Sequence, residues 1–138
     1  MAPNDADCHL HLGNILTFAG RYEEAIRSIE QAMRLNPRYP TMYLVSLAIA
    51  YRVAGRYEDA LALLQRALIL TPHYLQARVN LATCYAELNW LEEARAEVAE
   101  ILRINPTFSL EGVRRTVPFK DPAVVERMVA ALRKAGLK

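Results

Sequence analysis

Six residues recur three times along this chain with small changes. They read Gly20-Arg21-Tyr22-Glu23-Glu24-Ala25, then Gly55-Arg56-Tyr57-Glu58-Asp59-Ala60, then Asn89-Trp90-Leu91-Glu92-Glu93-Ala94, at intervals of 35 and 34 residues. Each copy closes on a proline at the same intervals, in Leu35-Asn36-Pro37, Leu70-Thr71-Pro72 and Ile104-Asn105-Pro106. Self-similarity at a fixed period of roughly 20 to 50 residues marks a stacked architecture, because a single unit of that size cannot bury its own apolar face.

Inside each unit the apolar spacing is helical. A small residue sits in the first half at Gly13, Ala48 and Ala82, preceded by Leu12, Leu47 and Leu81 and followed three residues on by Leu16, Tyr51 and Tyr85. The second half carries Ala25, Ala60 and Ala94, then Ile29, Leu64 and Val98 four residues later, then Ala32, Ala67 and Ile101 three beyond that. Steps of three and four hold these residues on one helix face. Small residues there let two antiparallel helices approach closely, and the following proline stops the second. Gly20, Gly55 and Asn89, which tolerate positive φ, mark the turns. The spacing predicts helices at about 6–19, 22–35, 41–54, 57–70, 75–88 and 91–104.

This pattern resembles the tetratricopeptide repeat. The resemblance implies an all-α, right-handed α-solenoid of three helix-turn-helix repeats at 6–40, 41–74 and 75–106, followed by C-terminal capping helices at 107–138. Three local departures stand out: His9, Leu44 and Arg78 occupy the position where the family usually has Trp. Asn89-Trp90 also replaces the Gly-Arg turn of the other two units. At the N-terminus, Pro3 lies 34 residues before Pro37 and precedes Asn4-Asp5. Residues 1–5 therefore read as the remnant of a preceding repeat, with a simple helix start at Pro3 as the alternative.

The tail departs from the period, since Pro118 falls where a repeat helix would continue. Ser109 is placed to cap a short helix through about Thr116, and Asp121-Pro122 is an N-cap followed by proline at the first helical position. A last helix then runs to about Ala135 and ends at Gly136, with Val125, Met128, Val129 and Leu132 as its apolar stripe. The outer face of a final repeat needs cover, so capping is the expected role. Read from Ile104 through Phe108 and Val117-Pro118-Phe119 to Leu137, the tail also resembles a narrower group. These are the C-terminal ends of bacterial signalling proteins in which such repeats follow a class III adenylate/guanylate cyclase or a winged-helix domain. That resemblance implies the regulatory or scaffold end of such a protein, with no catalytic residue carried over.

Composition limits the function classes. The chain has 138 residues and a net charge of +2, which gives general nucleic-acid binding little support. Its two cysteines, Cys8 and Cys84, lie far apart in predicted helices, which argues against a disulfide framework and fits a reducing, cytoplasmic setting. The polar start Met1-Ala2-Pro3-Asn4-Asp5 lacks the apolar core of a signal peptide, and the apolar run from Tyr43 to Tyr51 is too short for membrane insertion. Residues 107–138 carry seven basic and three acidic side chains, against ten and twelve in the rest. The expected outcome is a solvated outer face on that basic tail, with some pairing to Glu92, Glu93, Glu97 and Glu100. On a helix only Cys8 and His11 share a face, two ligands where a structural zinc needs four, so neither a metal nor another cofactor is expected. Nothing resembles a phosphate-cradling loop or an activated nucleophile. Paired carboxylates at the start of second helices are explained by the helix dipole.

The expected function is therefore a non-catalytic protein–protein interaction module. The first helices place a candidate groove on the concave side: Leu10, Asn14 and Phe18 from the first repeat, Met42, Val45, Ile49, Arg52 and Val53 from the second, and Gln76, Val79, Thr83 and Glu87 from the third. An apolar middle and a polar far end suit an amphipathic helix or extended peptide. The same stripe equally suits packing against the chain's own tail or a second copy. Tetratricopeptide domains that hold chaperone C-termini use Lys, Asn and Arg along this groove. Here Asn14 fits, but Leu10, Ser46, Gln76 and Asn80 replace the rest, so that clamp is not expected. The alternative function is an oligomerisation module for a cyclase or DNA-binding output domain. An apolar N-terminal helix surface near Leu10, Ile15 and Phe18 is expected to promote self-association.

Overall fold

A computed structural model describes residues 3–138, with side chains described from Asp5 onward. Eight helices and no strand occur among the described residues: α1 (Pro3–Phe18), α2 (Tyr22–Leu35), α3 (Thr41–Val53), α4 (Tyr57–Leu70), α5 (Leu75–Glu87), α6 (Leu91–Ile104), α7 (Leu110–Thr116) and α8 (Pro122–Lys134). They form a helical solenoid of three antiparallel pairs, α1/α2, α3/α4 and α5/α6, with α7 and α8 closing the third. Met1 and Ala2 of the expected repeat remnant lie outside the described residues, and Pro3 opens α1.

The pairs turn by one repeated device. Gly20, Gly55 and Asn89 adopt left-handed φ values of 89°, 84° and 63°. At each, the next residue's N–H donates back to a carbonyl five residues earlier: Arg21 to Leu16 at 2.9 Å, Arg56 to Tyr51 at 2.8 Å and Trp90 to Tyr85 at 2.7 Å. This arrangement satisfies carbonyls that the helix end would otherwise leave open. Asn is the residue after Gly that best accepts such a φ, which is why the third turn keeps the geometry without glycine. Leu137 donates to Leu132 at 3.0 Å across Gly136, so the same device ends α8.

Each pair buries its small-residue face. Ala25, Ile29 and Ala32 of α2 pack with Ala6 and Leu10 of α1, and Tyr43, Leu47 and Ala50 of α3 cover them from the next layer. The second layer joins Ala48, Ala60, Leu64 and Ala67 to Ala77 and Leu81. The third layer uses the tail: Val125, Met128, Val129 and Leu132 of α8 pack on Val79, Ala82, Val98 and Ile101. Ser109 Oγ accepts from Gly112 N–H at 3.1 Å and Asp121 Oδ1 from Ala123 N–H at 3.0 Å, so side-chain caps start both tail helices.

The tail's basic side chains are solvent-exposed, as expected, but they do not make the expected pairs with the α6 carboxylates. Arg78 donates from Nη1 to both oxygens of Glu97 at 3.0 Å and from Nη2 to the Pro72 carbonyl at 3.0 Å. Glu100 pairs with Arg103 one turn away, and Arg114 of the tail pairs with Glu126 of α8 at 3.0 Å. The basic tail therefore does not pair with the α6 carboxylates, because nearer cations already hold Glu97 and Glu100. An Arg at the usual Trp position substitutes a part-buried ion pair for an aromatic contact.

Gly13 is the tightest point of the first pair. A Cβ built there would lie 2.4 Å from Ile29 Cγ1, closer than real contacts allow, and a tight 3.3 Å from the Ala25 carbonyl. Ala48 and Ala82 fill the equivalent places in the other pairs, so α1 and α2 approach more closely than a strict repeat requires. Gly13→Ala is expected to destabilise the chain by about 1–3 kcal/mol through overpacking, despite alanine's better helix propensity. Urea denaturation checks this, and in a Gly13→Ala/Ile29→Ala double variant the combined cost should fall short of the sum of the two single costs.

Candidate functional site

The first helices of the repeats line the concave side, and the tail enters it. Between α7 and α8, residues 117–121 cross to the open end of α1. There Lys120 N–H donates to the Phe18 carbonyl at 2.9 Å, and the Phe119 ring meets Phe18 edge-on with centroids 5.1 Å apart. Phe18 O belongs to the last turn of α1, where carbonyls lack intrahelical donors. The strap thus satisfies a helix end and joins the first repeat to the tail.

This strap divides the predicted groove. On one side remains a pocket of about 310 Å³, to which α1 contributes Asn14 and Phe18, and α3 contributes Met42, Val45, Ser46, Ile49 and Arg52. Tyr74, Gln76 and Asn80 form its third wall, and Thr116, Val117, Pro118, Phe119 and Met128 close it from the tail. Of the predicted residues, Asn14, Phe18, Met42, Val45, Ile49, Arg52 and Gln76 are therefore brought together. On the other side α8 lies over α5. Val79 and Thr83 are buried, with Thr83 donating to the Val79 carbonyl at 2.8 Å, so neither faces an open groove. Val53 and Glu87 line a narrow crevice with Tyr57, Val124 and Arg127 instead. Leu10 is buried in the first layer rather than solvent-facing.

Sequence reasoning missed the tail's contribution to the pocket. Val117-Pro118-Phe119 places two apolar side chains around a proline in a linker, and that is the only signal that it docks. Of the occupants the sequence left open, the tail covers the groove over the third repeat and meets Phe18, while the second repeat's half stays open.

Arg52 is the pocket's one charged lining residue. It is 6% exposed, and its Nε donates to Asn80 Oδ1 at 3.0 Å while Nη2 meets Met128 Sδ at 3.8 Å. Asn80 is held in turn, its Nδ2 donating to the Gln76 carbonyl at 2.8 Å. Among the described residues no carboxylate reaches ion-pair distance of Arg52, and Glu87 instead accepts from Tyr57 Oη at 3.2 Å. Burial lowers the Arg52 pKa, with Cys84 and Glu87 acting the other way, but a guanidinium stays protonated in proteins.

Cys8 is exposed and Cys84 is buried, both as free thiols. Among the described residues no three His, Cys, Asp or Glu side chains converge as metal ligands. No helix of the described residues is long and apolar enough to cross a membrane.

Comparison with known proteins agrees with this geometry. The family model of the tetratricopeptide repeat matches residues 16–66 and 51–110. A protein described as "Putative adenylate cyclase 3" of Rhizobium meliloti (strain 1021) is 43% identical over 44 residues, 32% of this chain but only 8% of that protein. Among solved structures, the first TPR of Spaghetti (RPAP3) bound to HSP90 peptide SRMEEVD superposes with a TM-score of 0.73 at 21% identity, covering 98% of this chain and 93% of that one. PcrH from Pseudomonas aeruginosa gives 0.73 at 17% identity over 98% and 94% of the two chains. MamA gives 0.69 at 22% over 96% and 77%. At these identities the structures establish a shared fold.

Burial pushes the Cys84 thiol from the ordinary 9.0 to about 12, with Arg52 opposing and Glu87 assisting the shift. The folded state therefore holds this proton more tightly than the unfolded state. The associated stability is fully present below pH 9 and is lost as pH rises towards about 12. Burial also raises the Tyr43, Tyr51 and Tyr57 hydroxyls, in the same direction. Urea midpoints are expected to fall above pH 9 and to fall less steeply in Cys84→Ala. Under native conditions iodoacetamide should label Cys8 and spare Cys84.

Proposed function

This chain belongs to the tetratricopeptide repeat family, and we propose that it is a protein-docking module whose concave pocket receives an apolar anchor from a partner. The observation that carries this reading is the open half of the groove. Met42, at 48% exposure, and the partly buried Ile49 and Phe18 surround space that the strap leaves unfilled. Such a site suits an amphipathic helix or extended peptide presenting one or two apolar side chains. That the RPAP3 repeat, which shares this fold, is bound to an HSP90 peptide supports a peptide-docking role. The role is non-catalytic and cytoplasmic. The short similarity to the Rhizobium cyclase supports a place in the regulatory or scaffold part of a bacterial signalling protein.

Ile49→Glu tests the docking reading, because it puts a charge into the apolar wall at a partly buried residue that borders the second layer's core without being one of its buried members. Circular dichroism should remain that of the parent, while association with copurifying proteins, followed by quantitative affinity capture, drops at least about tenfold. Unchanged association with every partner would remove the pocket from the proposal.

A second reading, self-association for an output domain, has its own observation. Cys8, Leu12 and Ile15 of α1, with Ala19 just past its end, recur at helical spacing, and all four are exposed, Leu12 at 48% and Ile15 at 52%. This stripe, rather than Leu10 or Phe18, is the apolar N-terminal surface, since Leu10 is buried and Phe18 meets Phe119. Covering a few hundred Å² of such surface at about 25 cal/mol per Å² drives association by several kcal/mol. Light scattering of the chain at high concentration is expected to show a dimer that Ile15→Asp converts to monomer. A parent chain that is monomeric under those conditions removes this reading.

A further inference from the structure

We propose that the strap-covered pocket binds a small organic carboxylic acid, its carboxylate on Arg52 and its apolar body between Ile49, Phe18 and Phe119. This goes beyond the docking reading and needs no protein partner.

Three observations meet in the pocket. The first is charge. Arg52 supplies the one formal charge on the lining, and no carboxylate of the described residues pairs with it. A guanidinium carries five N–H donors. Asn80 and the Met128 sulfur use Nε and Nη2, whereas Nη1 donates to no described group. Nη1 is also absent from the buried nitrogens without a partner, where only Arg78 Nε stands, so it keeps some access to solvent, and Arg52 lines both this pocket and the narrow crevice beside Glu87.

The second observation is preorganisation. Arg52 is more than nine-tenths buried, and Asn80 fixes the guanidinium while being fixed itself by the Gln76 carbonyl. A cation held in place and partly desolvated binds an anion without first having to be ordered, and charge-assisted hydrogen bonds to carboxylate are the strong kind. Asn14, Ser46 and Gln76 add neutral polar groups around the same space.

The third observation is size and shape. The pocket's volume of about 310 Å³ falls at the small end of ordinary ligand sites. The strap walls it with Val117, Pro118 and Phe119, so the space suits a compact molecule with one charged end and one apolar end. A bound acid touches both the repeats and the strap. Its binding therefore favours the docked strap over any open state, to the extent of its differential affinity.

The test uses the whole chain, with 4-methylpentanoate and benzoate as probes and their primary amides as neutral isosteres. Titration calorimetry and two-dimensional NMR should show each acid binding at least about tenfold more tightly than its amide, with the Arg52 Nε–H resonance and the Phe119 amide shifting together. Arg52→Met keeps the side chain's length and removes its charge, and should reduce the preference for acid over amide to near unity. If that variant does not fold, the parent chain still decides the matter through the acid–amide comparison and the Arg52 resonance. Equal binding of acid and amide, no binding of either, or shifts confined to surface lysines would overturn the proposal. So would tight binding of a carboxylate-ended tetrapeptide that the free acids do not compete for. Because Ile49→Glu interrogates protein association and the acid titration does not, the two readings fail separately.

Discussion

A helix pair with two apolar faces can satisfy only one of them internally, and the whole molecule is organised around covering the other. In the first two layers the neighbouring pair does this: Tyr43, Leu47 and Ala50 of α3 close the core begun by α1 and α2, and Ala77 and Leu81 of α5 close the next. The third layer has no following repeat. Its cover comes from α8, whose Val125, Met128, Val129 and Leu132 replace what another first helix would bring. Such a structure is held by a sum of neighbouring interfaces rather than by one central core.

That requirement explains why the tail both caps and intrudes. To lay α8 over α5, the chain after α7 has to travel across the concave side before turning back, and Asp121-Pro122 sets where the last helix begins. The crossing segment finds the exposed end of α1, where the Phe18 carbonyl lacks an intrahelical donor and the Phe18 ring lacks cover. One hydrogen bond and one edge-on aromatic contact then link residues about a hundred positions apart in sequence. A cap on the third repeat thereby becomes a wall of a pocket on the first two.

The legible part of this molecule is whatever repeats. Gly20, Gly55 and Asn89, the Ala25/Ala60/Ala94 positions and the closing prolines fix three helix pairs because each depends on local backbone freedom or on spacing along one helix. Even the tail's caps at Ser109 and Asp121 are local chemistry, legible as such. Side-chain partners that depend on distance in space were not legible. The basic tail looked complementary to the α6 carboxylates, yet Arg78 and Arg103 reach Glu97 and Glu100 first. Val79 and Thr83 occupy concave positions by repeat register, as Ile49 and Gln76 do, and only the path of α8 decides which of them face open space. Position in the repeat gives a residue's direction, whereas exposure depends on an element that does not repeat.

Arg52 sits where these levels disagree. Its place in the first helix of the second repeat is a concave one, polar enough to tolerate a charge beside solvent, but the tail covers it and leaves it 6% exposed. Taking an ion out of water costs several kcal/mol unless a counter-charge or a full set of hydrogen bonds offsets it. Asn80 and a methionine sulfur offset only part of that cost. A methionine or leucine at position 52 would meet Met128 and Ile49 without the penalty, so packing alone gives no reason for a guanidinium there. Residues that break a local rule without an internal compensation are found where a fold keeps a site. Here the compensation available from outside is an anion, and the pocket that Arg52 lines is a space in which it fits.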